Sequence, residues 1–149
     1  MQISLLAPLK AKGLARVEWG NRALARLLKM PQPGAGIPVV LSVTQIGGEQ
    51  IWDRRFGGDV FITRQHLDNG FLREQFGANA TILKVEPNQD TLRFTSIGAC
   101  LGNLRVPPSL APQINATVTA LGPKAWRAAV RISWRGTLIC QYEAELEAE

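Results

Sequence analysis

The chain has 149 residues, of which 46% are hydrophobic and 19% charged, and its net charge is +5. This composition excludes a disordered chain, and the length predicts a single domain, residues 1–149, with a core of its own. The two cysteines, Cys100 and Cys140, and the one histidine have no metal-ligand spacing, so we predict no metal site. We favour a pair of reduced thiols in the core, and a disulfide between the two cysteines remains an alternative.

The N-terminal stretch has no charged residue before its apolar run, and Pro8 interrupts that run. We therefore predict no signal peptide. No apolar run approaches the roughly 20 residues of a membrane span, and we expect a cytoplasmic protein. Residues 1–64 hold nine Lys or Arg and four Asp or Glu. The basic segment 10–29 permits an anionic lipid or nucleic acid as partner, although a solvated basic face is favoured.

The first predicted elements are a strand and a helix. Residues 14–19 alternate between apolar and polar side chains, which is typical of a short strand. Asn21 is a good helix cap, and the leucine spacing predicts a helix over residues 21–30 that ends before Pro31. Its apolar face carries Leu24, Leu27 and Leu28, which we expect to dock on a sheet.

Two glycine pairs, Gly47-Gly48 and Gly57-Gly58, predict two tight hairpin turns and three consecutive strands. Around the first turn, the predicted pairs are Val43 with Trp52, Leu41 with Arg54 and Val39 with Phe56. Around the second, they are Phe56 with Asp59, Arg54 with Phe61 and Trp52 with Thr63. Both registers agree on one apolar face, which collects Val39, Leu41, Val43, Trp52, Phe56 and Phe61. Arg54 is the one charge on that face.

The remaining chain predicts further antiparallel strands. Residues 71–76 follow the Asn69-Gly70 turn and fit a strand or a helical turn, and residues 80–86 and 91–97 form a hairpin. Residues 98–112 are rich in Gly and Pro and are predicted to be an irregular loop, a candidate rim of a binding site. Three strands follow, at residues 114–120, 126–134 and 138–146, with a three-residue loop between the last two. Their register sets Arg127 opposite Glu145 and Arg131 diagonal to Glu143.

Together these elements predict a mainly β fold. We expect an antiparallel meander of about eight to nine strands curled into a barrel or a half-shell, with one short N-terminal helix, at about residues 21–30, packed on it. Large and small side chains share the inner face, so it either fills a core or lines a pocket.

Two motifs carry a resemblance to a known family. They are a Trp-x-Arg-x-Phe-Gly-Gly core at Trp52–Gly58 and a Glu-x-Phe-Gly motif at Glu74–Gly77, with a looser passage from Arg105 to Pro112. On these motifs the chain resembles a bacterial family, domain of unknown function 4166, which is found alone and fused behind saccharopine-dehydrogenase-like NAD-binding modules. The resemblance covers most of the chain and implies no activity.

The sequence also departs from that family. Relatives tend to have Tyr-x-Gly in the last strand, where this chain has Tyr142-Glu143-Ala144. They also tend to have a histidine near the start, where this chain has Lys10 and Lys12. A role of that histidine in the family would therefore be absent from this member.

Arg54 is the residue that most needs an explanation, because an unpaired guanidinium inside a protein is very costly. The leading interpretation is an ion pair with Glu74, which alternates onto one face with Leu72 and Phe76. The functional interpretation is that Arg54 binds the acidic head of a small apolar ligand. The predicted ligand-binding residues are Arg54, Trp52, Phe56, Phe61, Glu74, Trp126, Trp134 and Tyr142.

No catalytic residue is predicted. His66 precedes an Asp-Asn-Gly turn, where exposed polar side chains are usual, and an acid/base role would need a partner such as Glu74 nearby. No nucleophile elbow, phosphate loop or dinucleotide fingerprint is present. We therefore favour a non-enzymatic binding module without a cofactor, for a small apolar or lipid-like molecule. The alternative is an interaction module with a packed core that docks a partner domain, as the fusions of the similar family imply. Nucleic acid is disfavoured as a partner.

Overall fold

The computed structural model describes residues 9–149. The first eight residues, where we predict no signal peptide, lie outside the described residues. The elements are β1 (Leu9–Trp19), α1 (Arg22–Leu27), β2 (Gly34–Ile46), β3 (Glu49–Phe56), β4 (Asp59–Asp68), β5 (Phe71–Phe76), β6 (Asn79–Asn88), β7 (Thr91–Leu101), β8 (Leu104–Val106), β9 (Gln113–Ala120), β10 (Ala125–Trp134) and β11 (Thr137–Ala148). A one-turn 3₁₀ helix, Pro108–Leu110, follows β8.

Ten of these strands form a closed antiparallel barrel. Consecutive strands pair as hairpins up to β7, β7 then pairs with β9, and β11 returns to pair with β1. The short β8 pairs only with the end of β7. The predicted meander and barrel are confirmed, but the half-shell and the count of eight to nine strands are wrong. The count was low because residues 71–76, left open as a strand or a helical turn, form β5, and the predicted loop 98–112 contains β8.

The predicted register of β2, β3 and β4 is confirmed in all six pairs, from Val39 with Phe56 to Trp52 with Thr63. The turns at residues 47–48 and 57–58 begin with a left-handed glycine, at φ 60° for both Gly47 and Gly57. Because side chains alternate between the two faces of a strand, this register fixes which residues enter the barrel. Arg54 points inward, as predicted.

The hairpin of β10 and β11 differs from the predicted one. Arg135 and Gly136 form a two-residue turn with positive φ at both positions, and Trp134 pairs with Thr137. A register shift between Ile132 and Ser133 then restores the predicted faces. It leaves Ile139 without a partner, and this residue is buried in the core. A two-residue turn with a bulge therefore replaces the predicted three-residue loop.

The predicted cross-strand charges of this hairpin are confirmed in part. Arg127 faces Glu145 and contacts it at 2.6 Å. Glu143 also turns to Arg127, at 3.3 Å, instead of Arg131. The predicted diagonal position of Arg131 and Glu143 is thus confirmed by the register, but both carboxylates form their ion pairs with Arg127.

The predicted helix at residues 21–30 is only the six-residue α1. Asn21 caps it as expected, with its Oδ1 accepting from the backbone N–H of Leu24 at 3.0 Å. The helix ends early because Lys29 adopts φ 55°, so that Met30 N–H bonds back to Ala25 O. Ala25 is fully buried against the barrel, whereas the predicted docking residue Leu27 is 74% exposed. The predicted leucine face is therefore confirmed for Leu24, which packs against the core, and wrong for Leu27 and Leu28, which are exposed.

The densest packing lies on the side of the barrel formed by the two ends of the chain. The buried core there comprises Ala11, Ala15, Val17, Ala25, Val39, Leu41, Val43, Phe56, Trp126, Ile139, Cys140, Ala144 and Leu146. These residues come mainly from β1, β2 and β11, together with α1. The polar residues described below lie along the inner face beside this core.

We predict that Gly13→Ala breaks the pairing that closes the barrel. A Cβ at Gly13 overlaps the backbone carbonyl oxygen of Glu145 on the neighbouring strand, and a backbone cannot yield as a flexible side chain does. We expect the free energy of unfolding to fall by more than about 2 kcal/mol, measured by urea denaturation. Gly58→Ala is the matched control, because a Cβ at Gly58 meets nothing within 4 Å. Equal stability of the two variants would contradict the prediction.

Candidate functional site

The candidate site lies inside the barrel, on the inner faces of β3, β4 and β5. Strand alternation brings Trp52 and Arg54 from β3, Phe61 and Thr63 from β4, and Glu74 from β5 to this wall. The pairing of β3 with β4 and of β4 with β5 places these side chains side by side. A polar group thus interrupts a largely apolar lumen.

Arg54 is held by three neighbours. Its Nη2 contacts Glu74 Oε2 at 3.2 Å, and its Nη1 donates to Thr63 Oγ1 at 3.0 Å. The guanidinium also lies 5.1 Å from the centroid of the Trp52 ring, a cation–π distance. The side chains of Arg54 and Glu74 are 21% and 15% exposed. The predicted ion pair is confirmed. The negative charge of Glu74 balances the positive charge of Arg54 inside the lumen.

Glutamines complete this polar group. Gln65 Nε2 donates to Glu74 Oε2 at 2.6 Å, and Trp52 Nε1 donates to Gln50 Oε1 at 3.2 Å. Gln65 and Gln50, like Thr63, are absent from the predicted site. The signal for Gln65 and Thr63 was present in the sequence, because both alternate onto the inner face with Phe61.

Tyr142 approaches the group from the other side of the lumen. Its ring packs edge to face on Phe56, with centroids 5.2 Å apart, and Phe56 packs in turn on Phe61 at 5.8 Å. Burial raises the pKa of Tyr142 to about 12, while the charge of Arg54 lowers it and that of Glu74 raises it. The phenol is therefore a neutral hydrogen-bond donor at physiological pH. Burial likewise raises the pKa of the Cys140 thiol to about 11.

Six of the eight predicted site residues come together, and the two tryptophans of β10 do not join them. Trp126 is 5% exposed and belongs to the core, and Trp134 donates from Nε1 to Leu110 O at 3.0 Å. Eight residues of strand separate them, a distance of about 27 Å. Trp126 and Trp134 therefore cannot both contact one small group, and Trp134 instead anchors the 3₁₀ helix.

The lumen is not uniformly packed. Phe94, Val118 and Ile132 alternate onto the inner faces of β7, β9 and β10, yet each keeps partial exposure. On the wall that carries Arg54, the side chains of Trp52, Phe61 and Glu74 are likewise only partly buried, whereas Thr63 and Gln50 are buried. In contrast, the inward residues of β1 and β2 are almost completely buried. The partly buried inward side chains thus lie on β3, β4 and β5 and, across the lumen, on β7, β9 and β10.

The histidine and the two cysteines take no part in the polar group around Arg54. His66 is exposed, pairs with Arg73 in the sheet, and has Nδ1 at 3.1 Å from Gly48 O. It lies on the outer face, opposite to the inward Glu74. Cys100 and Cys140 are free thiols. Within residues 9–149, no group of three metal-ligating side chains is assembled, and no helix has the length and apolar character of a membrane span.

Comparisons with known proteins agree with this architecture. A family model, "Domain of unknown function (DUF4166)", matches residues 7–146. No curated protein matches the chain. A protein of unknown function from the DUF3598 family of Nostoc punctiforme PCC 73102 is similar in structure, with a TM-score of 0.64 and 10% identity over 96% of this chain. This chain spans about half of that protein, 47% of its length.

A second solved structure is also similar. It is a secretary abundant heat soluble (SAHS) protein from Ramazzottius varieornatus, with a TM-score of 0.50 and 12% identity. The match covers 93% of this chain and 91% of that one. At these identities, both likenesses concern the fold alone.

We predict that Arg54 and Glu74 are energetically coupled. Glu74→Leu leaves the guanidinium without its carboxylate, so we expect a loss of about 1–3 kcal/mol in the free energy of unfolding, less than for a fully buried pair. The double variant Arg54→Met/Glu74→Leu should lose less than the two single variants together. A double-mutant cycle in urea measures this coupling. Strictly additive losses would contradict an interaction between the two side chains.

We predict that Tyr142 titrates near pH 12. It is the one tyrosine of the chain, so the ultraviolet absorbance of tyrosinate reports this residue alone. Unfolded chains release the phenol proton near pH 10, whereas the folded protein holds it to about 12. The free energy of unfolding should therefore fall as the pH rises between these values. Arg54→Met should raise the midpoint, Arg64→Met on the outer face should not, and a wild-type midpoint near 10 would contradict the prediction.

Proposed function

The chain belongs to the DUF4166 family of domains of unknown function, and from its geometry we propose that it is a non-enzymatic β-barrel module for one small, apolar, acidic molecule. The observation that carries this proposal is Arg54, a cation held inside a partly accessible apolar lumen. Two N–H groups of its guanidinium donate to Glu74 and Thr63. The others have no acceptor within residues 9–149 and remain available to a ligand.

The acidic head of the ligand would bind at Arg54. A carboxylate accepts hydrogen bonds from guanidinium groups with favourable geometry. The hydroxyl of Tyr142 adds a second donor, because its raised pKa keeps it protonated. Glu74 limits the affinity, since it already neutralises Arg54 and would repel a second carboxylate. This arrangement favours a reversible carrier over tight, permanent binding.

The apolar body of the ligand would lie against aromatic and aliphatic walls. Trp52 and Phe61 flank Arg54 on one side, and Phe56 connects them to Tyr142. The partly exposed side chains of β7, β9 and β10 face them across the lumen. Apolar walls around few polar groups are typical of small-molecule sites.

The structure offers little support for catalysis. Glu74 Oε2 already accepts hydrogen bonds from both Arg54 and Gln65, so this oxygen is occupied by neighbouring side chains. His66 lies on the outer face and cannot assist it. The proposal also keeps the cytoplasmic location expected from the sequence, in accordance with two free thiols.

The alternative function is a protein-interaction module. It is favoured by exposed aliphatic side chains on the outer faces of β2 and β4, namely Val40 at 47%, Val60 at 47% and Ile62 at 55% exposure. The ion pair of Arg55 and Asp53, at 3.2 Å, interrupts this surface. In this reading the lumen binds nothing, and a partner domain covers the outer sheet.

Binding through the basic segment 10–29 has less support. Lys12 and Arg16 face Glu147 and Glu143 on β11, so acidic neighbours counter part of the basic charge. The helix α1 carries exposed Arg22 and Arg26 but is only six residues long. These contacts favour a solvated basic face.

We predict that the lumen prefers an anionic probe to its neutral analogue. 8-Anilinonaphthalene-1-sulfonate and N-phenyl-1-naphthylamine share one ring system and differ in the sulfonate. Wild-type protein should bind one sulfonate probe, roughly tenfold more tightly than the neutral probe. Arg54→Met/Glu74→Leu, which removes both charges from the lumen, should bind both probes alike. Titration calorimetry and native mass spectrometry measure affinity and stoichiometry.

The control is Arg64→Met, which removes a positive charge from the outer face and should keep the preference. Failure of wild-type protein to bind either probe would contradict the carrier function and favour the interaction module. An equal loss of preference in Arg64→Met would show that net charge, not Arg54, governs binding.

A further inference from the structure

A second concave surface lies mainly on the outer face of the barrel. Its lining also includes Ala116, Val130 and Tyr142, whose side chains alternate inward. This outer groove has a volume of about 610 Å³ and crosses β7, β9, β10, β11 and β1. Its outward side chains are Arg93, Thr95, Asn115, Thr117, Ala129 and Arg131 on one side, and Arg16, Glu18, Gln141 and Glu143 on the other. No part of the lumen proposal uses these side chains.

The floor of the outer groove consists of short side chains between long ones. In the sheet, Arg93 pairs with Thr117, and Thr117 with Ala129. In the next row, Thr95 pairs with Asn115, and Asn115 with Arg131. Short residues in adjacent strands leave a depression that the two arginines border. Within the described chain, the side chains of Thr95, Asn115 and Thr117 make no hydrogen bond, so their polar atoms are free to bind a ligand.

The carboxylates at the other end of the groove are already engaged. Glu18 contacts Arg16 at 3.3 Å and accepts from Gln141 at 2.8 Å. Glu143 contacts Arg127 at 3.3 Å, and Arg127 also holds Glu145. The hydrogen bond from Arg127 to Glu145 raises the pKa of Arg127.

The two arginines that border this floor have no carboxylate partner among the described residues. Arg93 faces Glu86 in the sheet, yet neither it nor Arg131 forms an ion pair with any residue from 9 to 149. The positive charge of the groove is therefore concentrated on Arg93 and Arg131, on opposite sides of β9.

We propose that the outer groove binds a small phosphorylated molecule, with its phosphate between Arg93 and Arg131. Two strand spacings and a two-residue offset separate their Cα atoms by about 12 Å, so both long side chains can converge over Asn115 and Thr117. Guanidinium groups bind phosphate oxygens through paired, charge-assisted hydrogen bonds. Asn115 and the two threonines then contact the phosphate or the polar body attached to it.

A small ligand fits this surface better than an extended polyanion does. The outer face of β11 presents Glu143, Glu145 and Glu147 in a row beside the groove. Glu86 lies beside Arg93 on the opposite side. These carboxylates repel a long phosphate backbone, whereas a single phosphate or pyrophosphate group between the arginines avoids them.

The test uses inorganic phosphate and pyrophosphate as probes, measured by titration calorimetry and by NMR chemical shifts of the backbone amides. Wild-type protein should bind pyrophosphate, with shifts centred on β7, β9 and β10. Arg93→Gln and Arg131→Gln should each weaken this binding roughly tenfold. Arg64→Gln, the same charge change at another exposed outer position, should leave it unchanged. All three positions are exposed, and circular dichroism verifies that the variants fold.

Absence of pyrophosphate binding in wild-type protein would overturn the proposal. So would equal weakening by Arg64→Gln, since binding would then follow net charge. Neither outcome bears on the lumen, because the naphthalene probes report it separately. Arg93→Gln and Arg131→Gln should keep their preference for the sulfonate probe.

Discussion

The pairing of β1 with β11 is the constraint on which the barrel depends. Every other neighbouring pair in the ring follows from a hairpin or a short connection, whereas this pair joins the two ends of the described chain. The pairing runs from Ala11 with Ala148 to Trp19 with Cys140, and Gly13 permits the close approach of the two backbones. Without it, the meander would be an open sheet. The densest core forms along this seam, which leaves the accessible lumen on the opposite side.

Sequence predicts this fold well where local chemistry determines geometry. The glycine turns fix the register of three strands, because a two-residue turn leaves one alignment of the alternating faces. Irregularities are harder to predict. The bulge at Ile139 changes neither composition nor the apolar pattern around it. The early end of α1 depends on Lys29, a non-glycine residue in the left-handed region, which no composition rule identifies.

For the candidate site, the sequence predicts which strand face a residue lies on, but not its distances to other residues of that face. Alternation brings Arg54 and Glu74 to the same wall, so their ion pair could be inferred from the sequence alone. It does not reveal how far apart residues of one face lie, which is why Trp126 and Trp134 were included. Nor does register decide between competing partners: Glu143 has Arg127 and Arg131 within reach and binds Arg127. That choice depends on side-chain geometry.

The eleventh strand, β8, which pairs on one side only, has a consequence for the behaviour of the protein at high concentration. Exposed strand edges are templates for intermolecular pairing, and closure of a barrel removes them. Among the described strands, β8 alone has a single neighbour, and it is only three residues long. Pro107 and Pro108 follow directly and offer no N–H to a further strand. The fold thus resists edge-to-edge aggregation at the one place where closure leaves an opening.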